Sequence, residues 1–496
     1  MSSEAYPRAY IGAENCDANW LAEANRLGYN PGYTPPERKG HYRGLYRWDT
    51  AFICIIYARA HNVRSAVRDF KTLLAGQMPS GLIPNQQHTA GKRFLEPEAL
   101  LGQESDGHTN YDQPALEAQT ALEIYHALET QPGVDPTKAQ REAKNFLKEV
   151  FPSLVLNYGY IDTHLSNGLN DKLIGAVRPE ATGRDSGPEW DFTKPFRLPR
   201  RGPNTPAYIA LSNSVINYAH RLHTIRKLKQ ANGDAQKSRE IFWANDIEMN
   251  CIYASNCYAM AEIAELAGRP KEEVNGYKKQ ARGVEEQILK PWHPYPEGGQ
   301  GMWFSHAENG EGRFYALDKY GLPIKEVTTA NVMPVLLPNL GENQLKSILS
   351  LIRRKLEAPY GLSTVANDSL KHDPHYGEKE SIWRGPDWMN QDWLVAEGLL
   401  LQINRPELAD NIDLIQECKE VLWHLTSAST TVLDMWAERG TPIPEFHDPQ
   451  TARAFRLSRV QWFAWGNLGR VMPPNLMPNV VTKALLKHAS LAKVPG

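Results

Sequence analysis

The stretch RPEATGRDSGPEWD, residues 178–191, carries four carboxylates, Glu180, Asp185, Glu189 and Asp191, beside a single tryptophan. Pro179, Gly183, Gly187 and Pro188 break any regular element, so these acids sit on an irregular segment that something more rigid must hold. Alone, such a segment reads as a solvated acidic turn. A second loop, PIPEFHDPQTA at 442–452, supplies a chemical partner. Glycosidic cleavage needs two carboxyl groups on opposite sides of a sugar: one protonates the leaving oxygen, and the other activates water or attacks. Asp185 and Glu445 are the candidate pair. A separation of ~6.5–9.5 Å would leave room for a water and give inversion, whereas ~5 Å would mark a retaining pair.

Other residues of matching chemistry stand on a few loops. Trp48, Trp190, Trp383 and Trp388 could stack on sugar faces, with Tyr46 beside the first of them, while Asp49, Gln113, Arg384 and Asn390 could bond hydroxyls. Each also has a plainer role. Trp48 and Trp388 serve equally well as core plugs, and Asp49 and Asp387 read singly as helix caps. His447 beside Asp448 is a further base candidate. There is no GxGxxG after a strand, no P-loop, no GxSxG elbow, no HExxH and no DxDD or DDxxD cluster.

The elements that must position these loops are nearly all helical. Apolar residues recur at three-to-four spacing in 17–28, 47–62, 64–77, 112–129, 137–161 and 205–230, and then in 240–268, 270–290, 328–338, 343–356, 386–403, 412–430 and 451–471. This amounts to about a dozen helices, with Asp135-Pro136 opening one and Gly268 closing another. An even run of paired helices without a low-complexity linker fits one closed all-α toroid over 1–496, inner helices lining a funnel and long loops gathered at one rim. No short tandem repeat supports an open solenoid.

Composition narrows the partners. The 496 residues are 41% hydrophobic, and 55 basic groups nearly balance 57 acidic ones, so no broad field attracts nucleic acid or an anionic membrane. The odd set Cys16, Cys54, Cys251, Cys257 and Cys418 lacks zinc or redox spacing and reads as buried free thiols. No window reaches the ~18 apolar residues of a membrane span, and the opening residues lack a basic-then-apolar leader, so a cytoplasmic protein is expected.

The segments RWDTAF, YDQPALEAQTALEIY, TGRDSGPEWD, WRGPDWMNQDWLVAEGL, EFHDP and RVQWFAWG together resemble the ordered motif set of glycoside hydrolase family 63, particularly its short mannosylglycerate and glucosylglycerate hydrolases. The resemblance runs from residue 47 to about 466. It implies an (α/α)6 toroid that inverts a small α-glucoside or α-mannoside, possibly a glycerate glycoside, without metal or organic cofactor. Asp185 falls on the family's general acid and Glu445 on its general base. Asp49, Gln113, Trp383, Arg384, Gly385 and Trp388 fall on positions lining the glycone pocket. The sequence departs from the family at Ser186-Gly187, where Asn-Ser is usual, and at Ala452, where Gly usually closes the base motif. Glu180 also stands one residue further from the acid motif. Glu180 and Asp191 would then position Asp185 or raise its pKa. Two alternatives stay open: a trehalase-like toroid glycosidase, and a noncatalytic carbohydrate-binding toroid, against which retention of both carboxylates argues.

Overall fold

A computed structural model describes residues 45–87, 108–109, 111–167, 170–193, 240–293, 301–305, 312–372, 382–439, 444–453, 466, 468–469, 471–472 and 479–489. Ten α-helices lie among them: α1 (Arg47–Arg59), α2 (Val63–Ala75), α3 (Glu117–Glu129), α4 (Pro136–Tyr160), α5 (Ile247–Leu266), α6 (Lys271–Leu289), α7 (Glu342–Leu351), α8 (Met389–Ile403), α9 (Ile412–Glu438) and α10 (Val480–Ala489). The expected helices at 17–28 and 205–230, most of 451–471, and Cys16 lie outside the described residues.

Burial sorts the helices into two kinds. Helices α1, α3, α5 and α8 are buried almost all round, with side chains such as Phe52, Ile55, Leu122, Cys251, Tyr258 and Leu399 at 0% exposure. A helix apolar on every face belongs inside. Helices α2, α4, α6, α7 and α9 each bury one stripe and turn a charged face outward. Each inner helix packs on the outer helix that follows it in sequence, giving the pairs α1 with α2, α3 with α4, α5 with α6 and α8 with α9. Inner neighbours also touch in the order α1, α3, α5, the 3-10 turn Thr329–Leu336, and α8. That turn occupies an inner position as the partner of α7, and Pro334, which has no N–H, accounts for its failure to wind as the α-helix expected at 328–338. Thr328 and Asn331 cap it reciprocally.

Several boundaries differ from the sequence reading. Helix α3 begins at Glu117 rather than 112, and α5 begins at Ile247, capped by Asp246 through Met249 N–H at 2.8 Å, after a short strand at Ala244–Asn245. Helix α9 continues to Glu438, eight residues past its expected end. Helix α10, unforeseen, packs on α3, α5 and α8. The two expected helix-end signals hold: Asp135 accepts from Lys138 N–H at 3.0 Å, and Gly268, at φ +72, turns the chain after α5. The remaining strands are two-stranded antiparallel ribbons, such as Leu45–Tyr46 with Gln86–Gln87 and Glu357–Ala358 with Gly361–Leu362. No described helix is long and apolar enough to cross a membrane. Cys54, Cys251, Cys257 and Cys418 are buried free thiols, as expected.

Candidate active site

The N-terminal turns of the inner α-helices meet in pairs, α1 with α3 and α5 with α8. Arg47, the first residue of α1, is fully buried and grips Glu117, the first residue of α3, through Nε to Oε1 at 2.5 Å and Nη2 to Oε2 at 3.0 Å. Trp48 N–H then donates to Gln113 Oε1 at 3.2 Å, and Tyr46 Oη accepts from Gln86 Nε2 at 2.8 Å. Trp48 and Gln113 are therefore brought together, Asp49 follows Trp48 in α1 as a buried acid, and Tyr46, half-buried, stands at the entrance to α1. Asp49 and Asp387 do not cap helices as expected. Asp49 is the third residue inside α1, and the N-cap of α8 is Trp388, with no capping side-chain bond at either helix.

The 178–191 loop is held from beneath by Arg184. This guanidinium, at 1% exposure, meets Glu189 at 3.0 Å, Asp246 at 2.5 Å and Glu248, so three carboxylates share one cation. Gln391 of α8 donates to the other oxygen of Glu248 at 2.9 Å and accepts from the Thr329 hydroxyl at 2.7 Å, joining α5, α8 and the 3-10 turn to the loop. Burial, the largest cause, pushes Glu248 up to about 7, with Arg184 opposing and Asp246 adding to the rise. Trp190 Nε1–H donates to the Arg184 carbonyl at 2.9 Å and the ring is fully buried, so in this arrangement it props the loop from within. Sequence reading missed this network. Its signal is local only in Glu189, five residues from Arg184; Asp246 and Glu248 lie more than sixty residues on.

Asp185, half-buried, thus follows a rigid anchor. Ser186 ties the loop to the segment 382–388, since its Oγ accepts from Trp383 N–H at 3.3 Å. Arg384 reinforces the tie with two contacts to Asp191, one of them Nη1 to Oδ2 at 3.0 Å. Trp48 lies against Trp383, ring centroids 6.4 Å apart, and fits because residue 183 is glycine. A Cβ on Gly183, whose φ is +77, would stand 2.3 Å from the Trp48 ring.

The same segment meets the second loop. Trp383 stacks on Trp388 at 3.9 Å with 10° between planes, and Trp388 stacks on Phe446 at 5.0 Å. Phe446 follows Glu445, which is 6% exposed. The residues flanking Asp185 and Glu445 therefore converge on one stack of rings. Trp48, Trp383 and Trp388 are each only 2% exposed, so the stack is part of the core as much as a wall of the site. Gly385, at φ +140, accepts from Ser363 Oγ and donates to Thr364 Oγ1, both at 3.0 Å.

His447 is placed against a role as base. It is buried, its Nε2 lies 2.9 Å from the Tyr360 carbonyl, and burial pushes it down to about 4. Glu180 pairs with Arg178 at 3.1 Å, and that guanidinium lies over the Tyr111 ring at 4.2 Å. Burial raises Asp49 and Asp112 to about 7 each. Among the described residues, Glu262, Glu265 and His488 form a group of ligand-type side chains, but Lys487 Nζ lies 2.8 Å from Glu262 and 3.3 Å from Glu265 and fills the place of a cation.

Known proteins share this architecture. A family model for the mannosylglycerate hydrolase MGH1-like glycoside hydrolase domain matches residues 42–463. A mannosylglycerate hydrolase of Rubrobacter radiotolerans is 23% identical over 406 residues, covering 77% of this chain and 82% of that protein. A glucosylglycerate hydrolase of Mycolicibacterium hassiacum is 21% identical over 385 residues, 72% of this chain and 79% of that one. Among crystal structures, a family 63 mannosylglycerate hydrolase of Thermus thermophilus, in complex with Tris and D-glycerate, superposes with a TM-score of 0.66 at 19% identity, covering 91% of this chain and 98% of that chain. The inner and outer helices described above are those of an (α/α)6 toroid, the all-α class expected from the helical periodicity.

Proposed function

Because the chain belongs to the mannosylglycerate hydrolase MGH1-like glycoside hydrolases, we propose that it is an inverting α-glycosidase acting on a small α-glucoside or α-mannoside, with a glycerate glycoside the first substrate to test. The observation that carries the reading is the convergence of the two acid-bearing loops on the Trp383, Trp388 and Phe446 stack. The related enzymes act on glycerates of mannose and glucose, and the Thermus enzyme binds D-glycerate in one crystal and glucose in another, which supports this substrate class.

In this mechanism Asp185 gives its proton to the glycosidic oxygen as the bond to the anomeric carbon breaks. Glu445 takes a proton from a water that attacks that carbon from the opposite face, so an α-glycoside releases a β sugar. Tyr46, Asp49, Gln113 and the 383–388 segment line the glycone, and neither metal nor organic cofactor enters a step. Residues 1–496 form one catalytic domain in this reading. Its support is the tie between distant ends of the chain, where Arg59 of α1 donates to Glu397 of α8 at 2.6 Å and to the Val471 carbonyl at 3.0 Å.

The test uses Asp185→Asn and Glu445→Gln with a panel of mannosides and glucosides, including their glycerates. Each variant loses roughly 10²–10⁴ in rate on a natural leaving group. A leaving group that needs no proton restores turnover to Asp185→Asn alone. Proton NMR should show the β anomer first; α product first, or equal recovery of both variants, rejects the assignment.

A further inference from the structure

Beside Glu445 lies a second pair of acids that this mechanism does not use. Asp387, in the 382–388 segment, and Asp392, in the first turn of α8, are buried at 0% and 1% exposure. Both converge on one backbone amide: Leu362 N–H lies 3.0 Å from Asp387 Oδ2 and 3.1 Å from Asp392 Oδ1. Asp387 Oδ2 and Asp392 Oδ1 therefore crowd a single donor, while Asp387 Oδ1 and Asp392 Oδ2 are buried with no hydrogen-bond partner among the described residues. Two bare carboxylates this close and this deep repel, and neither is solvated, so a single proton held between them relieves both. Burial is the main cause that lifts both, Asp392 to about 7 and Asp387 well above the carboxylate range, the latter also through the Asp392 charge.

The chain is shaped around this pair. A Cβ on Gly361, at φ +127, would stand 1.5 Å from Asp387 Oδ2 and 2.6 Å from Asp392 Oδ2. Only glycine lets the 357–362 hairpin close on the two acids. Asp387 at the same time holds the segment that carries Glu445. Its N–H donates to the His447 carbonyl at 2.8 Å, and His447 N–H donates back at 3.1 Å, an antiparallel bridge two residues past Glu445.

Among the described residues, the charged and titratable neighbours leave the pair without a counterion. His447 Nε2 is 3.9 Å from Asp387 Oδ2 but is bonded to the Tyr360 carbonyl and neutral. Asp448, beyond it, accepts from Gln450 N–H in its own turn. On the hairpin and α9, Glu357 and His424 face each other at 3.9 Å, with His424 Nε2 at the Ala358 carbonyl. No lysine or arginine among the described residues forms an ion pair with either acid.

Resting on the reading of Glu445 as general base, we propose that Asp387 and Asp392 are positioning residues for that base. They are two carboxyls that share one proton, lock onto Leu362 N–H, and free the 444–447 segment when the proton passes to solvent. Two bare carboxylates would then compete for one donor, and the repulsion would turn one of them, with its backbone bridge, away.

The first measurement needs no substrate. A carboxyl raised in the folded state adds stability that is complete below its unfolded value near ~4 and is lost as pH rises through its folded value. In Asp392→Asn or Asp387→Asn the amide replaces the shared proton's donor and one ionisation disappears. The thermal midpoint of the wild type should therefore fall towards alkaline pH more steeply than that of either variant. Equal slopes in all three overturn the shared proton.

The second measurement separates positioning from bulk stability. Asp392→Asn should lower kcat roughly ten- to a hundred-fold with little change in KM, the scale of a misplaced catalytic group. Added to Glu445→Gln it should cost nothing further, because it acts only through the base. The same fold-loss in both backgrounds overturns the positioning role. Full turnover by Glu445→Gln alone would refute the base assignment before either aspartate is changed, and the thermal slopes would still report on the pair.

Discussion

Arg384 and Asp191, 193 residues apart in sequence, meet in a two-point ion pair with Nη1 3.0 Å from Oδ2 and Nη2 on Oδ1. A planar guanidinium bound at two points fixes orientation as well as distance. The pair therefore couples the segment carrying Trp383 and Trp388 to the loop carrying Asp185. The sequence reading gave Arg384 to the glycone, and the contacts observed for its guanidinium are to Asp191 of the acid-bearing loop.

Arg384→Lys keeps the charge and loses the fork. The expected result is a drop in kcat of roughly ten- to a hundred-fold from misplacement of the 185 loop, with the far-ultraviolet spectrum unchanged. Steady-state kinetics on the substrate found active in the panel above provide the measurement.

Arg184 makes the opposite prediction, a loss of stability before any loss of chemistry. Removing a buried cation leaves Glu189, Asp246 and Glu248 uncompensated, and breaking such a pair costs about 3–5 kcal/mol. Arg184→Met should show this in denaturant unfolding. Adding Glu248→Gln should recover part of it, since one of the three orphaned charges then disappears.

Helical periodicity was enough for the fold because the inner helices are buried on nearly every side and the outer ones on one, and both patterns are written in local spacing. The candidate site was partly legible for a different reason: Asp185, Trp383, Arg384 and Glu445 stand in Gly- and Pro-rich loops, where ionisable groups beside aromatics are conspicuous. What escaped was long-range. Nothing near Arg184 names Asp246 or Glu248, and Asp387 just ahead of α8 looks like a cap when its partner Asp392 is five residues into the same stretch. Thr329–Leu336 has helical spacing, but Pro334 denies it the α-helical ladder.

The buried acids give stability a sign with pH. Burial holds Asp49, Asp112 and Glu248 at about 7, and for each the stabilisation is complete below ~4 and lost as pH rises through that value. His447 acts at the other end: pushed down to about 4, it adds stability that is present above ~6.5 and lost as pH falls through 4. Between about pH 4 and 7 the three raised acids outweigh the one lowered histidine, so the thermal midpoint should fall across that window. In scanning calorimetry across pH, Asp112→Asn should make that fall shallower and His447→Gln should make it steeper.

Ala452 offers a change that should strengthen the protein. It closes the turn after Glu445 with φ +55, a left-handed conformation that costs an L-residue roughly 1–2 kcal/mol and glycine almost nothing. The turn is tightly held: Ala452 N–H donates to the Asp448 carbonyl at 2.8 Å, and the Ala452 carbonyl accepts from Trp436 Nε1–H at 3.1 Å. Glycine recovers the backbone strain but returns about 0.4–1 kcal/mol of unfolded-chain entropy, so Ala452→Gly should gain on the order of 0.5–1 kcal/mol net. Denaturant midpoints measure it, and because the methyl is fully buried, a loss of more than about 1 kcal/mol would show that its packing outweighs the strain.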